Sequence, residues 1–344
     1  LAYEVAIWLA TDALLVACVA LALLGGFRGY TAAPGRRKLL WYLLMHAAAA
    51  CGFLAKNAIA WILPALALLA VITWERNWRE LKRGELWTGL LLQVVIVGAW
   101  VLAVLDLPSG REALRGFLWY NVIGRFVVLA DVPPAFDYAA GHKNWPGKYL
   151  VELPIYLLPW SALALAALRR AWGAVRPDSP NATAWRFAIG YLIAATFLLS
   201  ISATARGIYY APVLPAFAVL IGLWAEKHLA DPDPFERRML GITRWLIALF
   251  GLVAIVLLGV ARSAMVDDYP LPALGALLIA AAAWFAARRA ARQSLNGFAL
   301  GHLYAAFGAS VLAIAIVIFP ILDRSQDLVG LAQRVASETA DRDF

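Results

Sequence analysis

The sequence predicts an all-α protein, a polytopic bundle of transmembrane helices with one further helix lying along the outer membrane surface, and three observations carry that prediction. First, 63% of the residues are hydrophobic and only 15% charged. With a mean hydropathy of +0.73, hydrocarbon rather than water is the main solvent. Second, apolar runs long enough to cross roughly 30 Å of hydrocarbon recur along the whole chain. About ten are legible, near 1–27, 39–54, 57–74, 86–106, 149–168, 183–203, 208–225, 240–261, 270–287 and 299–322. Third, alternate connections between these runs hold 19 of the 30 Lys and Arg residues, which the positive-inside rule assigns to the cytoplasmic side.

The connections follow in order. "RGYTAAPGRRK" after the first run and "RRAWGAVRPDSPNATAWR" after the fifth are short and turn-rich, as linkers between spans should be. Arg76, Arg79, Lys82 and Arg83 mark a second cytoplasmic turn, the group from Lys227 to Arg244 a fourth, and Arg288, Arg289 and Arg292 a fifth. The long connection 106–148 differs: Leu114, Leu118, Val122 and Phe126 recur every four residues, with Trp119 and Tyr120 suited to headgroup depth, so an interfacial helix is expected there. The Pro- and Gly-rich "VPPAFDYAAGHKNWPGKY" that follows reads as irregular backbone, tolerated near a membrane only where it packs on protein or lines a wet cavity. One transmembrane domain over 1–325 is expected, with 326–344 beginning an outer-face segment. Because the chain begins on Leu inside an apolar pattern, it reads as a fragment.

Several classes fall away. Cys18 and Cys51 sit inside apolar runs, where they act as small hydrophobes without metal-ligand or redox spacing. The first run has no basic start and carries Glu4 and Asp12, unlike a signal peptide. The pI near 9.6 comes from dispersed charges rather than one basic stripe, so nucleic acid is not a partner.

Basic residues on the outer side run against topology, and chemistry is sought there. Lys56 stands at a tight turn between two apolar runs, where an ammonium is costly without an anion or carboxylate. Snorkelling of its stem accounts for it equally well. Arg125 in "NVIGRF", His142, Lys143 and Lys148 in "GHKNWPGKY", and Arg206, Tyr209 and Tyr210 in "SATARGIYYAPVLP" complete the group. Guanidinium forks and ammonium point charges converging on one face suit a phosphate, hence an anionic lipid head. Asp12, inside the first run, is the costliest carboxylate, read either as functional or as a satisfied interior acid. His142 has no second His or carboxylate at ligand spacing.

The ordered motifs "LATDALLVACVALAL", "GFLAKNAIAWILP", "FLWYNVIGRF", "GHKNWPGKYLVELPIYLLPW", "RGIYYAPVLPAFAVL" and "IFPILDRSQDLVGLAQRV" resemble the GT-C membrane glycosyltransferases of the aminoarabinose transferase and protein O-mannosyltransferase type. The resemblance implies transfer of a sugar from a polyprenyl phosphate, at the outer face of the bacterial inner membrane, to lipid A, a glycan or a protein. It places Lys56, Arg125, His142, Lys143, Arg206 and Tyr210 around the donor phosphate and Asp12 as a supporting carboxylate. By the same resemblance the principal catalytic carboxylate belongs to an outer loop upstream of this fragment, and an outer domain follows it. Asn57 stands where the family has Gly, and Val122 where aminoarabinose transferases commonly have His. The expected chemistry is inverting displacement with the lipid phosphate leaving. No cofactor is specified; a divalent metal is left open. The competing expectations are a flippase for lipid-linked sugars and a non-catalytic scaffold that binds anionic membrane lipids. "HK" is expected to serve chemistry, Trp145 and Tyr149 to anchor at the interface, and "LPIYLLPW" to kink the start of a helix.

Overall fold

The computed structural model describes residues 11–127, 129, 132–133, 144–145, 147–179, 181–263, 270–292, 296–325 and 333. Every element that spans more than a single turn among these is helical. The helices are α1 (Thr11–Thr31), α2 (Arg36–Ala55), α3 (Ile59–Glu75), α4 (Gly84–Leu105), α5 (Gly110–Arg115), α6 (Gly124–Phe126), α7 (Lys148–Tyr156), α8 (Ser161–Ala174), α9 (Ala182–Ile201), α10 (Leu214–His228), α11 (Pro234–Ser263), α12 (Pro270–Arg292) and α13 (Asn296–Ser325). Among the described residues eight helical segments are long and apolar enough to cross a bilayer. The apolar run 57–74 forms the 17-residue α3. The run 149–168 is not straight: α7 and α8 meet at 118°, where Pro154 and Pro159 interrupt the amide ladder. The "LPIYLLPW" stretch is thus a bend between two helices.

The chain gathers into two compact units, Leu1–Glu226 and Lys227–Phe344. In the first, α1 and α2 pack closely because Gly25 and Gly29 stand four apart on the contact face. A Cβ on Gly25 would lie 2.7 Å from the Met45 amide nitrogen, and one on Gly29 would lie 2.6 Å from the Tyr42 ring. In hydrocarbon such small-residue faces replace the missing hydrophobic drive with close backbone packing. The second unit is built from α11, α12 and α13, with Ala254, Ala276, Leu277 and Ala313 at one of its packed centres.

The basic turns near the start of α2 are locked by buried carboxylates. Lys38 is 1% exposed; its ammonium lies 2.7 Å from Glu80 Oε1 and donates to the Gly29 carbonyl at 2.8 Å. Tyr42 donates to the same carboxylate at 2.6 Å, and Arg83 Nε lies 2.8 Å from its other oxygen. Glu75 similarly gathers Tyr30, Thr183 and Arg186. These loops are structural, and Lys38 in particular is an interior residue rather than a solvated topology signal. About 27 Å separates them from Lys56 at the other end of α2, by helical rise.

The segment from 110 to 126 is helical, with a π-helix over Gly116–Ile123 between α5 and α6. The wider i→i+5 turn rotates residues out of the four-residue register expected from sequence. Trp119 is exposed while Tyr120 is buried beneath the Arg115 guanidinium, 5.6 Å from its ring centre. Tyr120 is therefore packed inside and does not sit at a surface.

Candidate functional site

Three elements converge at the far end of α2. Lys56 ends that helix, its amide bonded to the Gly52 carbonyl, and Asn57 turns the chain into α3 by accepting the Ile59 amide at 3.1 Å. The side chain thereby closes a local turn onto its own backbone. The Lys56 ammonium forms an ion pair with Asp12, from the first turn of α1. Arg125, on α6, donates through Nε to Asn121 Oδ1 at 2.7 Å and through Nη1 to the Tyr209 hydroxyl. The Tyr209 ring lies between the two cations, 5.4 Å from Lys56 Nζ and 5.2 Å from the Arg125 guanidinium. The negative face of the ring attracts each cation, which offsets part of the cost of placing the two together.

These residues line a cleft with about 590 Å³ of empty space, open solvent included. Its polar part includes Asp12, Lys56, Asn121, Arg125, Ser202 and Tyr209; Leu15, Ile59, Phe126 and Leu199 supply an apolar wall. The cleft is therefore amphiphilic, with cations beside hydrocarbon. Burial pushes the Lys56 ammonium below the usual lysine range; Asp12 draws it back up, and the positive fields of Arg125 and Arg206 push it down again.

The wall formed by 202–206 is held in place by the backbone. Thr204 donates its amide to the Arg125 carbonyl at 3.2 Å. Asn144 spreads its side-chain amide over the Leu199, Ser200 and Ser202 carbonyls at 3.3, 3.0 and 2.8 Å, satisfying the orphan acceptors at the C-terminal end of α9. The Asn144 amide also donates to Ala203 at 3.1 Å.

Of the residues expected at the site, Asp12, Lys56 and Arg125 come together on the cleft. Arg206 is exposed and acts on Lys56 through its charge, while its carbonyl accepts the Tyr149 hydroxyl at 3.3 Å. Tyr210 is fully buried, stacked on Tyr149 at 5.4 Å and hydrogen bonded to Thr196 at 2.8 Å; it packs behind the cleft instead of lining it. Tyr149, expected at the interface, is likewise fully buried in this stack, whereas Trp145 is exposed. His142 and Lys143 lie outside the described residues. Asn121 and Asn144 are positions that sequence reasoning left out, and Tyr209 was grouped with the basic residues without a stated role. Adjacent side chains of a 3₁₀-helix diverge by about 120°, and within Gly207–Val213 it is Tyr209 that faces the cations. Among the described residues no three His, Cys, Asp or Glu side chains gather in a way that could hold a metal ion.

No family model matches the chain. It is 32% identical over 254 residues to the undecaprenyl phosphate-α-4-amino-4-deoxy-L-arabinose arabinosyl transferase of Pseudomonas paraeruginosa, covering 73% of this chain and 42% of that protein. The protein of the same name from Pseudomonas aeruginosa PAO1 is 31% identical over 271 residues, covering 78% of this chain and 46% of the relative. The crystal structure of ArnT from Cupriavidus metallidurans bound to undecaprenyl phosphate matches with a TM-score of 0.60 at 19% identity, over 90% of this chain and 54% of that one. Its apo state matches with a TM-score of 0.55 at 21% identity, over 89% of this chain and 53% of that one. The chain thus spans about half the length of the relatives it matches, and it is a part-length relative of the GT-C membrane glycosyltransferases named as aminoarabinose arabinosyl transferases.

Proposed function

We propose that the intact protein transfers a sugar from a polyprenyl phosphate to a hydroxyl or phosphate group on lipid A, a glycan or a protein, at the outer face of the bacterial inner membrane. The observation that carries this reading is the meeting of Lys56 and Arg125 over the Tyr209 ring on a cleft whose other wall is apolar. A phosphate on a hydrocarbon tail has that same division of polarity, and the kinship to arabinosyl transferases supplies the sugar-transfer chemistry.

In the proposed step an acceptor oxygen attacks the anomeric carbon, and the bond from that carbon to the phosphate oxygen breaks. The electron pair leaves on the phosphate as the acceptor proton passes to a general-base carboxylate of the intact protein. Lys56 and Arg125 stabilise the charge that develops on the departing phosphate, an effect larger in the transition state than in the ground state. Asp12, committed to its pair with Lys56, positions that ammonium and does not serve as the base. Arg206 adds to the positive field. Lys143, one peptide bond from the anchored Asn144, is proposed as a further donor-phosphate contact, with His142 beside it.

The test is transfer of labelled sugar from a polyprenyl-phosphate donor by the full-length protein in liposomes containing acceptor. Lys56→Ala and Arg125→Ala should each lower turnover by roughly 10²-fold, the cost of removing one preorganised charge-stabilising group, while membrane insertion is unchanged. Donor translocation without transfer by the unaltered protein would overturn the reading.

A further inference from the structure

The second unit contains a basic pocket that takes no part in the proposed transfer. Arg244 reads from sequence as one charge of a cytoplasmic connection, yet α11 begins at Pro234, so Arg244 lies about 15 Å along a helix by its rise, directly before the apolar stretch that starts at Trp245. The Arg244 Nε is buried and has no hydrogen-bond partner among the described residues. Arg244 lines a half-open pocket between α11, α12 and α13 together with Arg288, Trp245, Trp284 and Gly241, with about 900 Å³ of empty space, open solvent included. Nothing lies within 4 Å of a Cβ built on Gly241, so a side chain placed there would enter open space.

The pocket does not end there. Ala248 and Trp284 also line a second cavity of about 620 Å³ of empty space, open solvent included, whose remaining wall includes Gly251, Leu252, Ile255 and Ala280. The two pockets share Ala248 and Trp284: two guanidinium groups and two indoles line the first, and mainly apolar side chains line the adjoining slot. Water would satisfy the orphaned Arg244 donor, but it gives no reason for the slot. Inorganic phosphate would answer the charges and leave the slot unused. An amphiphile with one anionic head and a hydrocarbon chain matches both parts, since Arg offers a planar fork to phosphate oxygens and indole rings suit the polar boundary of the bilayer.

We infer that this groove binds an anionic phospholipid, with its phosphate between Arg244 and Arg288 and one acyl chain in the slot beside Gly251. The site is separate from the donor cleft, and it is independent of the proposed reaction.

Native mass spectrometry of the full-length protein in detergent tests this, with dioleoylphosphatidylglycerol, dioleoylphosphatidylcholine and inorganic phosphate as probes. The unaltered protein should hold one phosphatidylglycerol more tightly than any phosphatidylcholine. Arg244→Gln should weaken that binding about tenfold, the scale of one lost charge-assisted hydrogen bond. Gly241→Leu keeps both guanidinium groups and fills the mouth; it should weaken binding as much, which separates loss of the site from a folding defect at Arg244. Equal retention of the two lipids, unchanged binding in both variants, or displacement of the lipid by inorganic phosphate at matched concentration would each overturn the assignment.

Discussion

Neutralising Asp12 tests how the donor cleft is wired. Its carboxylate pairs with Lys56, and the two side chains are 11% and 19% exposed, so the pair is mostly removed from water while one side opens on the cleft. Breaking a fully buried pair by deleting one partner costs about 3–5 kcal/mol, and an exposed pair contributes about 0–1 kcal/mol. The observed exposure places Asp12→Asn between these limits, at about 2 kcal/mol. For a unit of this size that corresponds to a fall in melting temperature of roughly 4–8 °C. The assay is a double-mutant cycle, read by thermal unfolding in detergent, with Asp12→Asn, Lys56→Met and both together. The double variant should lose much less than the sum of the single losses, because each single change strands the other charge. Donor binding provides a second ordering. Lys56→Met leaves the Asp12 charge facing a phosphate, so it should bind donor more weakly than the double variant does. Additive stabilities, or equal donor affinity for Lys56→Met and the double variant, would refute the wiring.

The pH dependence follows from the depressed Lys56 ammonium. Between its folded and unfolded pKa the unfolded chain binds more protons, so this group's contribution to stability rises with pH through that window and is lost as pH falls through the folded value. Donor binding runs the opposite way, failing on the alkaline side before an ordinary lysine would; Lys56→Arg should move that limb to higher pH in a binding titration. Tyr209→Phe removes the hydroxyl that receives Arg125 Nη1 but keeps the ring, and should weaken donor binding by about 1 kcal/mol, whereas Tyr210→Phe should affect stability and leave donor affinity unchanged. Glu80→Gln leaves the Lys38 ammonium buried without its counter-charge and should destabilise by about 3 kcal/mol, measured by unfolding. Gly25→Ala forces a methyl against the Met45 backbone and should cost about 1–3 kcal/mol, while Gly98→Ala, with nothing within 4 Å, should be neutral or stabilising by up to about 1 kcal/mol.

The composition and the recurrence of apolar runs already fixed a helical membrane protein, because a chain in hydrocarbon must satisfy its amides within each segment. The motif order likewise pointed to the similarity to arabinosyl transferases that the comparisons show, and of the residues it named, Asp12, Lys56 and Arg125 line one cleft. Those signals are local: an ionisable residue beside an apolar run is conspicuous in one dimension. The partner of each charge is not. Lys38 and Lys56 look alike in sequence, yet one is sealed against Glu80 and the other opens on a cleft with Asp12, because the turn that returns each carboxylate is set by packing between helices. Tyr209 and Tyr210 are neighbours of identical chemistry, and the rotation of one 3₁₀ turn gives the first to the cations and the second to the aromatic stack. Arg244 counts as a topology charge until the structure sets it beside Arg288 on one pocket, its Nε buried without a hydrogen-bond partner among the described residues. The sequence by itself determined the solvent, the helices and the charges available; the tertiary structure decided which charges meet, because side-chain direction depends on helix phase and on neighbours distant in the chain.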